Sequence, residues 1–103
     1  WEDFKAFFRT FVEGLDMVVL AGSVPKGIDK SAYAQLLAIA NEKGIPCILD
    51  AEGELLYRGL EQKPFLIKPN LYEFNITFGH EGSDIPSIVA KARQIISEGK
   101  TVL

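Results

Sequence analysis

The sequence is poor in the residues that staple, ligate or anchor a chain. Its single cysteine, Cys47, rules out an internal disulfide and fits a reducing cytoplasm. Cys47 lies inside an apolar run, where it reads as inert packing. Its single histidine, His80, has no Cys, His or carboxylate cluster at metal-ligand spacing, so it reads as a surface residue. No apolar run approaches the ~20 residues that span a bilayer. Neither sign of charge dominates: the formal net charge of -3 gives no electrostatic case for nucleic acid or an anionic membrane as partner. Trp1-Glu2-Asp3-Phe4 lacks the basic region and cleavage pattern of a secretory signal, so the expected location is cytoplasmic. A Gly-Lys-Ser/Thr phosphate loop and a Gly-x-Gly-x-x-Gly turn are both missing, which removes the Walker and dinucleotide readings. No Ser-His-Asp or Cys-His nucleophile pairing can be assembled.

What is present is an ordinary core content, 48% hydrophobic in 103 residues, enough for one small domain or a piece of a larger one. The missing initial Met and the apolar Thr101-Val102-Leu103, a strand only begun, point to a fragment cut from a longer chain.

Apolar periodicity divides the chain. Trp1, Phe4, Phe7, Phe8, Phe11, Val12 and Leu15 form one helical stripe, expected in the core, with Gly14 as terminator. Met17–Ala21 is a continuous apolar run of strand length. Asp29 is the expected N-cap of a helix carrying Tyr33, Leu36, Leu37 and Ala40, which Gly44 ends. A second strand is predicted over Ile45–Leu49, with Pro46 tolerated at its start. A short helix over Glu54–Arg58, a third strand over Phe65–Ile67 and a helix over Leu71–Phe78 come next. Asp84 caps the last helix, with Pro86 in its first turn and Ile85, Ile88, Val89, Ala92, Ile95 and Ile96 as its stripe. Helical crossovers between buried strands predict an α/β fold with a parallel sheet in three-layer βα units.

In a parallel sheet all strand carboxyl ends share one rim, where open α/β sheets hold ligands. Gly22-Ser23, Asp50, and Lys68 with Asn70 each directly follow a strand, so three polar exits should converge on one crevice. Lys68, Asn70 and Glu73 lie within six residues, at or just past the strand end that Pro69 imposes. A cation, an amide and a carboxylate there suit a magnesium-phosphate ligand. A strand exit with solvated side chains explains the same spacing. Ser23 reads as a phosphate contact or as a turn-forming serine, and Asp50 as a metal-water partner or a turn cap.

Three motifs settle the matter by likeness. Ala21-Gly22-Ser23-Val24-Pro25-Lys26-Gly27, Ile48-Leu49-Asp50-Ala51-Glu52-Gly53 and Leu66-Ile67-Lys68-Pro69-Asn70-Leu71-Tyr72-Glu73 resemble the PfkB carbohydrate kinases of the ribokinase-like superfamily. Order and spacing hold over nearly the whole chain, in the manner of the 1-phosphofructokinase and tagatose-6-phosphate kinase branch. The resemblance implies ATP-dependent phosphorylation of a hydroxyl on a phosphorylated ketohexose, of fructose 1-phosphate or tagatose 6-phosphate type, with ATP and Mg2+ as cofactors. Asn70 and Glu73 match the Asn-x-x-Glu motif that organises magnesium, water and the ATP phosphates, so both are expected metal contacts through water. Lys68 matches a lysine near the nucleotide phosphates, and Gly22-Ser23 a loop that holds the sugar's phosphate. Asp50 matches an aspartate before a small-residue turn, but Ala51-Glu52 stands where a small or hydroxyl pair is usual, which leaves its role open.

The resemblance also implies what is missing. The family's base, an aspartate in a Gly-x-Gly-Asp loop at an anion hole, does not occur before Leu103. Nor do the N-terminal sugar-contacting aspartate and the β-lid, which in full-length proteins often builds a homodimer. Residues 1–103 therefore read as the central portion of a single ribokinase-like kinase domain without an internal boundary. No catalytic residue is expected in them, and the piece alone is expected not to turn over, because positioning and charge stabilisation dominate phosphoryl transfer. The alternative is a non-catalytic α/β binding or scaffold module on the same sheet.

Overall fold

A computed structural model describes residues 1–103. Helices and strands alternate in the order α1 (Glu2–Phe11), β1 (Val18–Ala21), α2 (Ala32–Glu42), β2 (Cys47–Asp50), α3 (Gly53–Gly59), β3 (Leu66–Ile67), α4 (Leu71–Phe78) and α5 (Ile85–Ser97). A 3-10 turn over Leu60–Gln62 continues α3. The three strands pair in parallel in the order β1-β2-β3, as helical crossovers dictate. The fold is the α/β parallel sheet that the spacing of apolar runs predicts. Leu103 adds to the ladder beside β3, donating to the Phe65 carbonyl and accepting from the Ile67 N–H.

The register places Leu20, Leu49 and Ile67 in one row and Val19, Ile48 and Leu66 in the next. On the first face Leu20 and Leu49 are buried with Leu36, Leu37 and Ala40 of α2 and Leu55 and Leu56 of α3. Phe8 and Val12 of the α1 segment complete this core. Each buried Leu contributes about 1.5–3 kcal/mol relative to an exposed one. The opposite face is open: Val19 is 58% exposed. The apolar runs do not alternate in sequence, which suits burial on both faces, yet burial alternates in the structure. The chain contributes the sheet and the helical layer on one side of it.

Three expectations are corrected. The aromatic stripe of α1 is not core along its length: Phe8 and Val12 are buried, whereas Phe4, Phe7 and Phe11 are half or more exposed. Seven apolar positions cover a wider arc than one neighbouring helix can bury, and the surplus rings stack on each other, Trp1 on Phe4 and Phe7 on Phe11. The stripe of α5 is similarly uncovered, with Ile95 buried and Ile85 and Ile96 exposed. Asp29 does not cap α2. Its carboxylate accepts from the Ser31 N–H at 2.8 Å in a turn that delays the helix to Ala32.

His80 is not a bare surface residue either. It is half-buried, and its ring nitrogens lie 2.7 Å from Asn75 Oδ1 and 2.6 Å from Ser87 Oγ, fastening α4 to α5. Asp84 caps α5 as expected, accepting from the Ser87 N–H at 3.1 Å.

Candidate functional site at the strand carboxyl ends

Each strand delivers one polar group to the same rim. β1 ends at Ala21, and the Gly22 N–H still donates to the Asp50 carbonyl at 3.2 Å, so the ladder carries the chain one residue past the strand. Gly22 then turns at φ +89°, a left-handed conformation that glycine reaches without steric cost, and presents Ser23. Asp50 closes β2. Glu73 lies in the first turn of α4, beyond β3. Gly22, Ser23, Asp50 and Glu73 line one cavity of about 550 Å³. The parallel topology thus brings two of the three expected exits, Gly22-Ser23 and Asp50, to one cavity, where Glu73 rather than Lys68 or Asn70 represents the third. Lys68 and Asn70 are outside the cavity wall, although Lys68 Nζ stands 3.9 Å from Asp50 Oδ2. That pair is largely solvated, so it contributes little to stability and leaves the lysine free to move.

Asn70 and Glu73 hold one another. Asn70 Oδ1 accepts from the Glu73 N–H at 2.8 Å, and Glu73 Oε1 accepts from the Asn70 N–H across a long 3.4 Å. This is a capping box, which satisfies two of the orphan N–H groups at the start of α4. It leaves the Asn70 Nδ2 donors and Glu73 Oε2 uncommitted.

The cavity contains residues that sequence reasoning did not single out. Glu52 and Glu54 add carboxylates to Asp50 and Glu73, and Lys30 from the loop before α2 is the one cation among the lining residues. The two glutamates were legible as continuations of the turn after Asp50. Lys30 was not, since its place depends on how the 24–31 loop folds. A wall of four carboxylates and one lysine carries a net negative charge. Oxygen donors suit a hard, hydrated cation such as Mg2+. No three His, Cys, Asp or Glu side chains are close enough together to strip such an ion of its water. An ion bound here would be held through water rather than directly.

An open parallel α/β sheet with a polar crevice at its carboxyl edge defines a ligand-binding α/β domain. The model of the pfkB family carbohydrate kinases matches residues 1–103, and the chain belongs to that family. It is 36% identical over 101 residues to a 1-phosphofructokinase of Bacillus subtilis, covering 95% of this chain and 33% of the relative. A 1-phosphofructokinase of Haemophilus influenzae is 31% identical over 99 residues, covering 96% of this chain and 32% of the relative. Among solved structures, Escherichia coli phosphofructokinase-2 in complex with fructose-6-phosphate superposes with a TM-score of 0.85 at 28% identity, covering 97% of this chain and 33% of that one. The chain thus spans about one third of the length of the curated relatives it matches. No helix is long and apolar enough to cross a membrane.

Proposed function

We propose that the chain is the central βα portion of a single kinase domain that transfers the ATP γ-phosphoryl group to a hydroxyl of a phosphorylated ketohexose. The observation that carries this reading is the convergence of Ser23, Asp50 and Glu73, spread over fifty positions of sequence, on one cavity. Its support is the family membership and the two 1-phosphofructokinase relatives. Fructose 1-phosphate is the first substrate to test and tagatose 6-phosphate the second. The expected partners are these small molecules and ATP, in the cytoplasm.

In this reading the Ser23 hydroxyl and the amides after Gly22 donate to the sugar's phosphate. Lys68, free at the rim, reaches nucleotide phosphate oxygens as a point charge. Glu73 Oε2 would help hold Mg2+ through water, and the Asn70 amide would donate to a phosphate oxygen or to that water. Mg2+ would neutralise charge on the nucleotide phosphates. Asp50 and Glu52 line the same edge, and the role of Asp50 stays open. The chain holds and orients ligands, while the proton-accepting base lies in the part of the kinase beyond these residues.

The test is an ADP-release assay on a kinase of full relative length carrying this chain, with each sugar phosphate as acceptor. Turnover is expected with one of them and Mg2+, and none from residues 1–103 alone. In the active enzyme Ser23→Ala should raise KM for the sugar phosphate roughly 10-fold, the loss of one hydrogen bond to a charged group, with KM for ATP nearly unchanged. Equal rises in both constants remove Ser23 from the sugar-phosphate site. Absence of turnover with either acceptor leaves the binding-module reading instead.

A further inference from the structure

We propose that Tyr33 is a positioning residue for the phosphate-facing loop: its buried phenol ties the backbone at Ala21 and Gly22 and thereby sets the direction of Ser23. The functional half of this inference rests on the assignment of Ser23 made above.

Tyr33 lies in the first turn of α2 and is 8% exposed, its ring belonging to the same core cluster as Leu20 and Leu36. Its hydroxyl donates to the Ala21 carbonyl at 2.7 Å, with the Gly22 carbonyl 3.1 Å away sharing the same proton. The N–H groups of Val18 and Gly22 point at β2, and alternate residues of a strand face opposite ways. The polar groups of Ala21 therefore face away from β2, on the side where Tyr33 Oη meets the Ala21 carbonyl.

The tie matters because the next residue is otherwise unrestrained. Gly22 has no Cβ, and an added one would meet nothing within 4 Å, so neither side-chain packing nor crowding limits its dihedrals. Two sets of hydrogen bonds limit them instead: Gly22 N–H to the Asp50 carbonyl, and Tyr33 Oη to the carbonyls on either side of the Ala21–Gly22 junction. A phenol locked in the core is a fixed point, so the loop inherits the rigidity of α2. Burial pushes the Tyr33 hydroxyl above its usual pKa, so it stays a donor throughout the neutral range.

Tyr33→Phe removes the donor and keeps the ring. In a full-length kinase carrying the chain, amide hydrogen exchange at Gly22, whose N–H donates to the Asp50 carbonyl, should accelerate about 2- to 10-fold, the range for one hydrogen bond, while exchange at Leu49 stays as in the parent. KM for the sugar phosphate should rise by a similar factor, with KM for ATP unchanged. Replacing Tyr33 by p-aminophenylalanine restores a donor at the same place and should restore both readings, which a loss of packing alone would not allow. Unchanged exchange at Gly22 overturns the proposal, as does acceleration that spreads equally to Leu49. The exchange measurement needs no turnover. A loosened loop with an unaltered KM rejects the Ser23 assignment and leaves the tie standing.

Discussion

Asn70 has one observed role, the cap, and one proposed role, a ligand contact, and substitution can separate them. Its Oδ1 caps α4 through the Glu73 N–H at 2.8 Å, and its Nδ2 donors are left for ligand. Asn70→Ala removes both. Loss of such a cap costs about 1 kcal/mol, within a range of ~0.5–2. Asn70→Asp keeps an acceptor at the same place, and Asp caps as well as Asn. The added charge gains ~0.3–1 kcal/mol from the N-terminal end of the helix dipole and loses a few tenths against Glu73 nearby. The net stability of Asn70→Asp should stay within about 0.5 kcal/mol of the parent. Its ligand chemistry does not survive: an Asp has no amide donors, and it adds a fifth carboxylate near a cavity that Asp50, Glu52, Glu54 and Glu73 already line. One hydrogen bond to a charged phosphate oxygen is worth ~1.5–3 kcal/mol, so kcat/KM for ATP should fall roughly 10- to 100-fold. Urea titration followed by far-UV circular dichroism reads the first quantity, and ADP release against ATP concentration reads the second. Equal destabilisation by Ala and Asp refutes the cap. An Asn70→Asp enzyme with parental kcat/KM refutes the ligand role and leaves Asn70 as a cap alone.

Three more expectations rest on single contacts or single environments. Glu73→Gln keeps the weak 3.4 Å acceptor at the Asn70 N–H, so folding should be intact while the magnesium concentration for half-maximal rate rises; an unchanged magnesium dependence removes Glu73 from the metal's hydration shell. A Cβ on Gly59 would lie 2.4 Å from Leu49 Cδ2 and 3.4 Å from Leu37 Cδ1, two fully buried side chains. Overpacking of about 1–3 kcal/mol should exceed the ~1 kcal/mol gained in helix propensity, making Gly59→Ala destabilising, whereas the same change in a Leu49→Ala background should stabilise. A matching sign in both backgrounds refutes the contact. Burial pushes the Cys47 thiol from near 9 up to about 11. The unfolded chain then sheds that proton first as pH rises, so Cys47 makes stability fall between pH ~9 and ~11, and Cys47→Ala should remove that share of the slope. An identical slope in the variant assigns it to other groups.

Elements bounded by local signals were legible. The α4 boundaries, Leu71–Phe78, come from a cap at Asn70 and the left-handed stop at Gly79, both readable without the rest of the fold. Strands were located but drawn long, because a strand ends where its partner does: β1 starts at Val18, opposite Cys47, rather than at Met17. The stripes of α1 and α5 show a different gap. Periodicity states which side chains favour burial. It does not state whether anything is there to bury them, and Phe7 and Phe11 remain 63% and 60% exposed.

The site divides along the same line. Convergence at the rim was legible because parallel strands leave no choice about where Ser23, Asp50 and Glu73 meet. Lys30 and the tie from Tyr33 were not, since both depend on how the 22–31 loop folds back over β1. Asn-x-x-Glu carried two meanings at one spacing. Three residues from N-cap to N3 is the separation a capping box requires, and it is also the separation that sets an amide and a carboxylate side by side at a strand exit. The two uses reinforce each other. A carboxylate locked to the first turn of a helix has lost the freedom that ligand binding would otherwise have to take from it, and its second oxygen is aimed by the bond its first oxygen makes. If the proposed ligand contact holds, helix start and ligand contact are one construction, and a variant that breaks the cap should weaken nucleotide binding even where it leaves every ligand-facing atom in place.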